Sequence, residues 1–459
     1  MRVLLPQPMT TLKKPTLKKL AIRGAMWTII GYGASQFARL VANIILTRLL
    51  VPEFFGLMAV VNTLLMGIEL FSDLGIGQSI IQNKRGEERE FFNTAWTLQA
   101  TRGFWVWFIC LAITYPAAQF YNEPRLLWLV PIMGLTSIIL GFASPAPALL
   151  NRRMEVGKVI MFDFIVQILS LIVLITLAWW LRSLWAFAIS GLIGGTIRAI
   201  GSFFLIPEQR PKFSWDKAAL KELLSFGRWM FIATAIMFLA EQSDRLILGK
   251  LLSFQTVGVY TIAATLANMP REVIKTLSYR VIFPTISNQT DLPRETLRAK
   301  IVRQRRLIVF ACGVLLAILV NIGDFVIARL YDQRYAEAIW MMPILSCGVW
   351  FSILYYTTSP ALLALGKPLY SAQSNLLRFL LISIGMPLAF TTQGILGVIV
   401  VIALSDFPLY LGNLYGLWCE KLFCFIQDVQ ATILFVAMLA LFVLIRSSLG
   451  FGTPFQIFM

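Results

Sequence analysis

The chain has no histidine among its 459 residues, and only five cysteines. Without imidazole, the usual general base and the commonest metal ligand are missing. Cys110, Cys312, Cys347, Cys419 and Cys424 are scattered with no CxxC pair, so they offer no metal or redox set. Charge is also scarce, at 14% of residues, and 23 acidic residues face 40 basic ones. There is no P-loop, because Gly366-Lys367 runs into Pro368 and lacks the upstream glycine. These absences argue against an enzyme and against a resident cofactor or metal. Any energy source is then an ion gradient, the membrane potential, the substrate's own gradient or a separate ATPase subunit.

What the chain has is hydrocarbon. Hydrophobic residues make up 58% of it and its mean hydropathy is +0.75, whereas soluble domains sit near ~45–50% apolar. Lipid must therefore be the solvent for most of the chain. A net charge of +17 would suggest nucleic acid in a soluble protein. Here the basic residues cluster in alternate loops, as membrane topology demands.

A helix that crosses a bilayer needs about 20 apolar residues, and about thirteen such runs are present. They lie at 25–48, 54–80, 93–118, 126–149, 159–181, 183–205, 226–249, 257–284, 307–329, 337–364, 368–390, 393–418 and 428–447. The fold class is all-α and polytopic. With the N-terminus in the cytoplasm, the inner segments hold about 25 Lys/Arg against about 7 in the outer ones, the bias that sets orientation. Lys84-Arg85, Arg152-Arg153, Arg210, Lys212, Lys217 and the run from Arg294 to Arg306 are all on the inner side. The basic start (Lys13, Lys14, Lys18, Lys19, Arg23) leads into a first span read as a retained anchor. An odd span count puts the C-terminus outside.

The chain also repeats. Trp27, Arg48-Leu49-Leu50 and Gly56 recur without a gap as Trp229, Lys250-Leu251-Leu252 and Gly258. Spans one and seven then correspond, and each half enters the membrane from the same side. The expected units are a basic cytoplasmic segment (1–24), an N-lobe (25–205), a cytoplasmic linker (206–225), a C-lobe (226–418) and an additional C-terminal span with its tail (419–459). Two related lobes with a path between them are a transporter pattern.

An ionisable side chain at mid-bilayer costs about 2.5–3.5 kcal/mol on insertion scales, so it normally faces a cavity or a partner. Arg39, Glu69, Asp73, Arg102, Asp163, Arg198, Glu241, Asp244, Arg245, Arg378 and Asp406 fall inside spans. Gln36, Arg39 and Asn43 share one helical stripe, and Arg39 corresponds to Glu241 in the repeat. Two readings of that pair are open: a gate across the lobes, or static packing within one lobe. Glu69 and Asp73 end the second span, as a proton or Na⁺ site or as a solvated helix end. Arg102, Arg198, Arg245 and Arg378 would give a cavity a cationic lining suited to phosphate. For Arg102 and Arg198, snorkelling to the inner surface is equally open. Pro145, Pro147, Pro270 and Pro360 interrupt spans, as hinges or as static kinks.

Five short stretches carry a family resemblance. Leu46-Thr-Arg-Leu-Leu-Val-Pro-Glu-Phe-Phe-Gly56 is followed by Ser72-Asp-Leu-Gly-Ile-Gly-Gln-Ser-Ile-Ile-Gln82. Later come Leu266-Ala-Asn-Met-Pro270, Phe283-Pro284 with Ser287, and Ala364-Leu-Gly-Lys-Pro368. From about Arg23 to about Gly416 the chain resembles bacterial polysaccharide flippases (O-antigen, colanic-acid and teichuronic-acid types) of the multidrug/oligosaccharidyl-lipid/polysaccharide exporter superfamily.

The resemblance implies two six-helix lobes around a central cavity, with twelve or fourteen spans where thirteen are counted here. It also implies an undecaprenyl-pyrophosphate-linked oligosaccharide as substrate, moved across the bacterial cytoplasmic membrane for surface polysaccharide synthesis. Arg39, Arg245 and Arg378 would be the substrate contacts, with Arg102 and Arg198 as further candidates. Glu69, Glu241, Asp244 and Asp73 are the candidates for H⁺ or Na⁺ coupling or gating. Partners would be that substrate, membrane lipid and the polysaccharide polymerase machinery, with no nucleic acid. The alternatives are a cation-coupled multidrug antiporter of the same superfamily and a membrane-embedded glycosyltransferase or polymerase. The first would want an acid-dominated cavity, and the second a long outer loop with clustered acids or histidine.

Overall fold

The structure, a computed structural model, describes residues 17–455; for residues 17–26, 28, 29 and 224–234 it describes the backbone alone. Lys13 and Lys14 of the basic start, and the side chain of the repeat residue Trp229, lie outside the described residues.

The described chain is helical from end to end. The first half holds α1 (Leu17–Leu49), α2 (Pro52–Phe71), α3 (Ile76–Gln82), α4 (Arg89–Tyr121), α5 (Leu126–Gly141), α6 (Ala146–Arg152), α7 (Val156–Leu181) and α8 (Trp185–Ser202). The second holds α9 (Lys217–Leu251), α10 (Phe254–Ala267), α11 (Met269–Leu277), α12 (Phe283–Ser287), α13 (Arg294–Leu330), α14 (Ala338–Tyr356), α15 (Ser359–Ala364), α16 (Pro368–Leu404), α17 (Asp406–Cys419) and α18 (Phe425–Ser448). The thirteen apolar runs all fall on helices: most on one helix or a broken pair, 257–284 on α10, α11 and the start of α12, and 368–390 and 393–418 both on α16, the second continuing into α17. Seven helical segments are individually long and apolar enough to cross a membrane, and the bent pair α5–α6 makes an eighth. One of the seven, Pro368–Cys419, reverses at Gly394, whose φ of 62° and ψ of −141° only glycine adopts without strain. Helices α1, α8, α9 and α10 are shorter or more polar, and all four line the central chamber described below.

Local signals set the element ends. Pro52 starts α2 at a position where its missing N–H costs nothing. Asp216 caps α9 by accepting from the amide of Ala218 at 2.9 Å, and Ser253 caps α10 by accepting from Thr256 at 3.2 Å. Arg85 binds the Asp216 carboxylate at 2.9 Å. That guanidinium and the Ala218 amide hold the carboxyl below the usual range.

The helices form two packed groups. In the first, α4 lies on α5, α5 on α8, α8 on α7 and α7 on α1; in the second, α13, α16 and α17 surround α14, and α18 lies outside on α13. The groups meet along α2, α9 and α10. One end of the bundle carries Lys84-Arg85, Arg152-Arg153 and Arg210 and is termed the basic end; the opposite one is the distal end.

The repeat becomes physical at the distal end. A Cβ on Gly56 would sit 1.8 Å from the carbonyl oxygen of Phe254, and a Cβ on Gly258 would sit 1.8 Å from that of Pro52. The two glycines thus let α2 and α10 touch backbone to backbone. Arg48 donates to the carbonyl of Leu330 at 3.4 Å, and its counterpart Lys250 donates to that of Phe120 at 2.5 Å. Both close a helix C-terminus with a cation, which the helix dipole favours. Arg334, held by Asp332, adds bonds to Thr47 and Arg48 carbonyls, and Phe55 packs on Tyr335.

Replacing Arg48 and Lys250 together with alanine is expected to loosen this seam. A cysteine placed at Thr256 should then label with a water-soluble maleimide several times faster in cells than it does with both cations present. An unchanged labelling rate would rule out the latch.

Candidate functional site

A cavity of about 670 Å³ lies between the two groups, below the distal seam. From the first group, α1 presents Tyr32, Gln36, Arg39 and Asn43 to it on one face, and α2 adds Asn62. From the second group come Glu241, Gln242, Asp244 and Arg245 on α9, Arg271, Glu272 and Lys275 on α11, Tyr356 on α14 and Arg378 on α16. Arg39, Asn62, Phe187 and Tyr32 also line a second cavity of about 700 Å³. That space continues along α1, α7 and α8 to Gly31, Ile160, Arg198 and Arg280, so the chamber extends toward the basic end.

The break that puts cations into the chamber is written in the chain. Helix α10 stops at Ala267, Asn268 forms the joint, and Pro270 opens α11. Five residues of π-helix (Ser278–Ile282) follow. Interrupted helices and π-turns leave backbone groups that need a polar setting, which a wet cavity supplies. Arg271, Glu272 and Lys275 sit immediately after that break.

Five cations (Arg39, Arg245, Arg271, Lys275, Arg378) and three acids (Glu241, Asp244, Glu272) line the central chamber. Lys275 donates to Glu241 at 2.6 Å, and Tyr260 donates its hydroxyl to Asp244 at 2.6 Å. Arg245 donates to Gln242 at 2.8 Å. Behind the wall, Asp406 is fully buried at the start of α17. It pairs with Arg271, lies 3.4 Å from the Nε of Arg378, and accepts from the Ser352 hydroxyl at 2.7 Å. One carboxylate therefore serves two arginines. Counting it with the lining acids still leaves the site positive, and Arg39 has no ion pair or hydrogen bond among the described residues.

The sequence candidates separate into three places. Arg39, Arg245, Arg378, Glu241 and Asp244 meet in the chamber. Arg198 lies in its extension and pairs with Asp163 at 2.8 Å. Glu69, Asp73 and Arg102 do not reach either cavity; they line a separate pocket of about 210 Å³ within the first group. There Arg102 donates to the Glu69 carbonyl at 2.6 Å and to the Ser72 hydroxyl at 3.2 Å, closing the C-terminus of α2. Glu69 accepts from Ser137 at 3.1 Å, and Asp73 accepts from the Gly75 amide at 3.0 Å in a turn. Arg102 thus closes a helix end outside both cavities. With the distal seam closed, Glu241 is held by Lys275 and not by Arg39.

Arg271 and Lys275 are not among the sequence candidates, although Pro270 is read there as an interruption of the span 257–284. The signal was available: Pro270 followed at once by Arg271-Glu272, with Lys275 one turn on.

Residues 45–340 match the family model described as "Polysaccharide biosynthesis protein". The chain belongs to that family. It is thus a multi-pass membrane protein of a polysaccharide biosynthesis family. It is 21% identical over 355 residues to the teichuronic acid biosynthesis protein TuaB of Bacillus subtilis (strain 168), covering 77% of this chain and 73% of TuaB. It is 23% identical to the lipopolysaccharide biosynthesis protein WzxC of Escherichia coli (strain K12), over 60% of this chain and 56% of WzxC. It is also 23% identical to the succinoglycan biosynthesis transport protein ExoT of Rhizobium meliloti (strain 1021), over 59% and 55%. The matches thus span less than two thirds of WzxC and of ExoT.

Among solved structures, the lipid II flippase MurJ in an inward closed conformation superposes with a TM-score of 0.71 at 13% identity, over 92% of each chain. An inward-facing multidrug resistance MATE family transporter superposes with a TM-score of 0.63 at 14% identity, over 90% of this chain and 96% of its own. The family member described here therefore has the MATE/MurJ-like fold.

Proposed function

We propose that this transporter flips an undecaprenyl-pyrophosphate-linked oligosaccharide across the bacterial cytoplasmic membrane by alternating access. The observation that carries the reading is the cation-rich chamber between the two helix groups, positive even after its buried acid is counted. A guanidinium in a low-dielectric wall stays charged and offers forked donors that fit phosphate oxygens in pairs. Arg39 and Arg245, unpaired with any acid among the described residues, are the groups free to hold the pyrophosphate. The N-terminus and the basic end face the cytoplasm on this reading, as the positive loops favour. The chamber, closed at its distal end and extended toward the basic end, would then be an inward state. The glycan occupies the wet space, the polyprenyl tail stays in the bilayer, and the groups rock about the α2–α10 contact. Lys275–Glu241 is the pair that proton or Na⁺ binding at Glu241 would release.

The fold is shared with a multidrug transporter, which supports the antiporter as a second reading. The surplus of arginine opposes it, since a cationic drug would meet like charge.

Replacing Arg39 and Arg245 together with glutamine is expected to lower surface polysaccharide export at least about tenfold, as loss of charge-assisted hydrogen bonds worth about 1.5–3 kcal/mol each requires. The measurement is complementation of a strain lacking its own exporter, with membrane abundance of the variant checked by blot. Full export by an abundant double variant would end the proposal. Resistance to cationic drugs conferred by the wild type would favour the antiporter.

A further inference from the structure

We propose that the groove between α13 and α18 is a binding site for an anionic phospholipid of the leaflet at the basic end. It is a cavity of about 890 Å³, apart from the central chamber and sharing no lining residue with it. Both helices begin at the basic end and run in the same direction, so the groove opens at a membrane surface and continues into hydrocarbon.

Its charge is one-sided. Arg298, Arg303 and Arg306 line it and no acid does. They span about 12 Å of α13, at 1.5 Å per residue, the depth of a headgroup region and the first acyl carbons. None of the three has a hydrogen bond or ion pair among the described residues. Their neighbour Arg305 shows what the helix does with a cation that needs a protein partner. It turns away from the groove, is buried, and binds Asp428 at 2.6 Å and the Thr357 hydroxyl at 3.1 Å. The three groove arginines are thus the ones left for a ligand.

The rest of the groove fits an acyl chain. Its floor is Trp350, stacked on Phe435 at 4.5 Å with the rings 9° apart and its indole N–H already given to Thr432. Gly313 deepens the floor: a Cβ there would touch Trp350 at 3.3 Å and Met438 at 3.4 Å. Leu307 and Leu434 form exposed apolar rims. Phosphate at the mouth and methylenes on the floor match one phospholipid. A basic pocket between spans on the positively flanked side is a known way to hold such lipids. α18 packs chiefly on α13, so a lipid seated here would cement the thirteenth span to the second group.

The test uses the full-length protein, purified and delipidated, with phosphatidylglycerol and phosphatidylcholine added in turn and bound copies counted by native mass spectrometry. The wild type is expected to retain one phosphatidylglycerol in preference to phosphatidylcholine. At roughly fivefold in affinity per cation near an anionic lipid, the variant R298Q/R303Q/R306Q should bind it on the order of a hundredfold more weakly. A control that removes three exposed basic residues outside the groove, K84Q/R89Q/K221Q, should bind as the wild type does.

Leu434→Trp fills the groove, keeps every arginine, and should also lose the lipid. It decides the matter if the triple variant does not fold. Equal losses in the groove and control triples would mean diffuse surface charge and overturn the proposal. So would unchanged binding by Leu434→Trp. Displacement of the lipid by millimolar inorganic phosphate would reduce the groove to a simple anion site and overturn it likewise.

Discussion

Replacing Asp406 with leucine is expected to destabilise the protein by about 3–5 kcal/mol, the cost of leaving a buried ionic group without its partner. Asp406 is fully buried and is the acid that serves both Arg271 and Arg378. Without it, two guanidinium groups share a wall that has no other acid facing both. The consequence extends beyond the single variant. In Asp406→Leu/Arg271→Met/Arg378→Met the buried charges leave together, and hydrophobic replacement of a whole buried network is often neutral or stabilising. That triple variant should melt near the wild-type temperature. It should still fail to export, because two of the five chamber cations have gone. Thermal unfolding in detergent and polysaccharide complementation, run side by side, separate the two effects. A single variant as stable as the wild type would show that Asp406 carries no charge worth pairing. A triple variant that exports normally would show that the chamber needs neither arginine.

The second large effect is expected at the seam. Alanine at Gly56 or at Gly258 places a methyl group 1.8 Å from a backbone carbonyl oxygen. Neither helix has a side chain there to rotate away, so the backbones must separate. Overpacking of this kind costs about 1–3 kcal/mol. The cost falls only on the state in which α2 and α10 touch, and the open distal state does not meet it. An equilibrium between the two therefore moves by about 5- to 150-fold toward the distal-open state, at about 1.4 kcal/mol per factor of ten. Either variant should export at a small fraction of the wild-type rate while remaining abundant, and a Thr256 cysteine probe should become accessible in both. The reciprocal contact makes a sharper demand: Gly56→Ala and Gly258→Ala should behave alike, since each meets the counterpart carbonyl. Normal export by both, with the probe still protected, would disprove a closed seam on the transport path. Export lost in one variant and normal in the other would break the symmetry argument.

Much of this was legible in the chain. The apolar runs fold as helices, whole, shared or broken, because hydrocarbon leaves the backbone no other way to satisfy its polar groups. The polar stripe of Gln36, Arg39 and Asn43 faces the chamber because helical periodicity fixes which residues share a face. The repeat of Arg48 and Gly56 as Lys250 and Gly258 identified the residues that later met at the seam, though not what they touch.

The pairing of charges was not legible. Glu241 meets Lys275, which follows the break at Pro270; the break is visible in the chain, but the direction in which it turns Lys275 is not. Arg102 met a helix end rather than the cavity, because its distance from Ser72 and Glu69 is set by how α4 lies on α2.

The sequence by itself determined the solvent of this protein, the number of its helical runs and the sign of its interior charge, since each depends on composition and local periodicity. The tertiary structure alone decided which cations are free and which are spent. An ion pair depends on a few ångströms between residues far apart in the chain, and only the packing of the helices sets that distance.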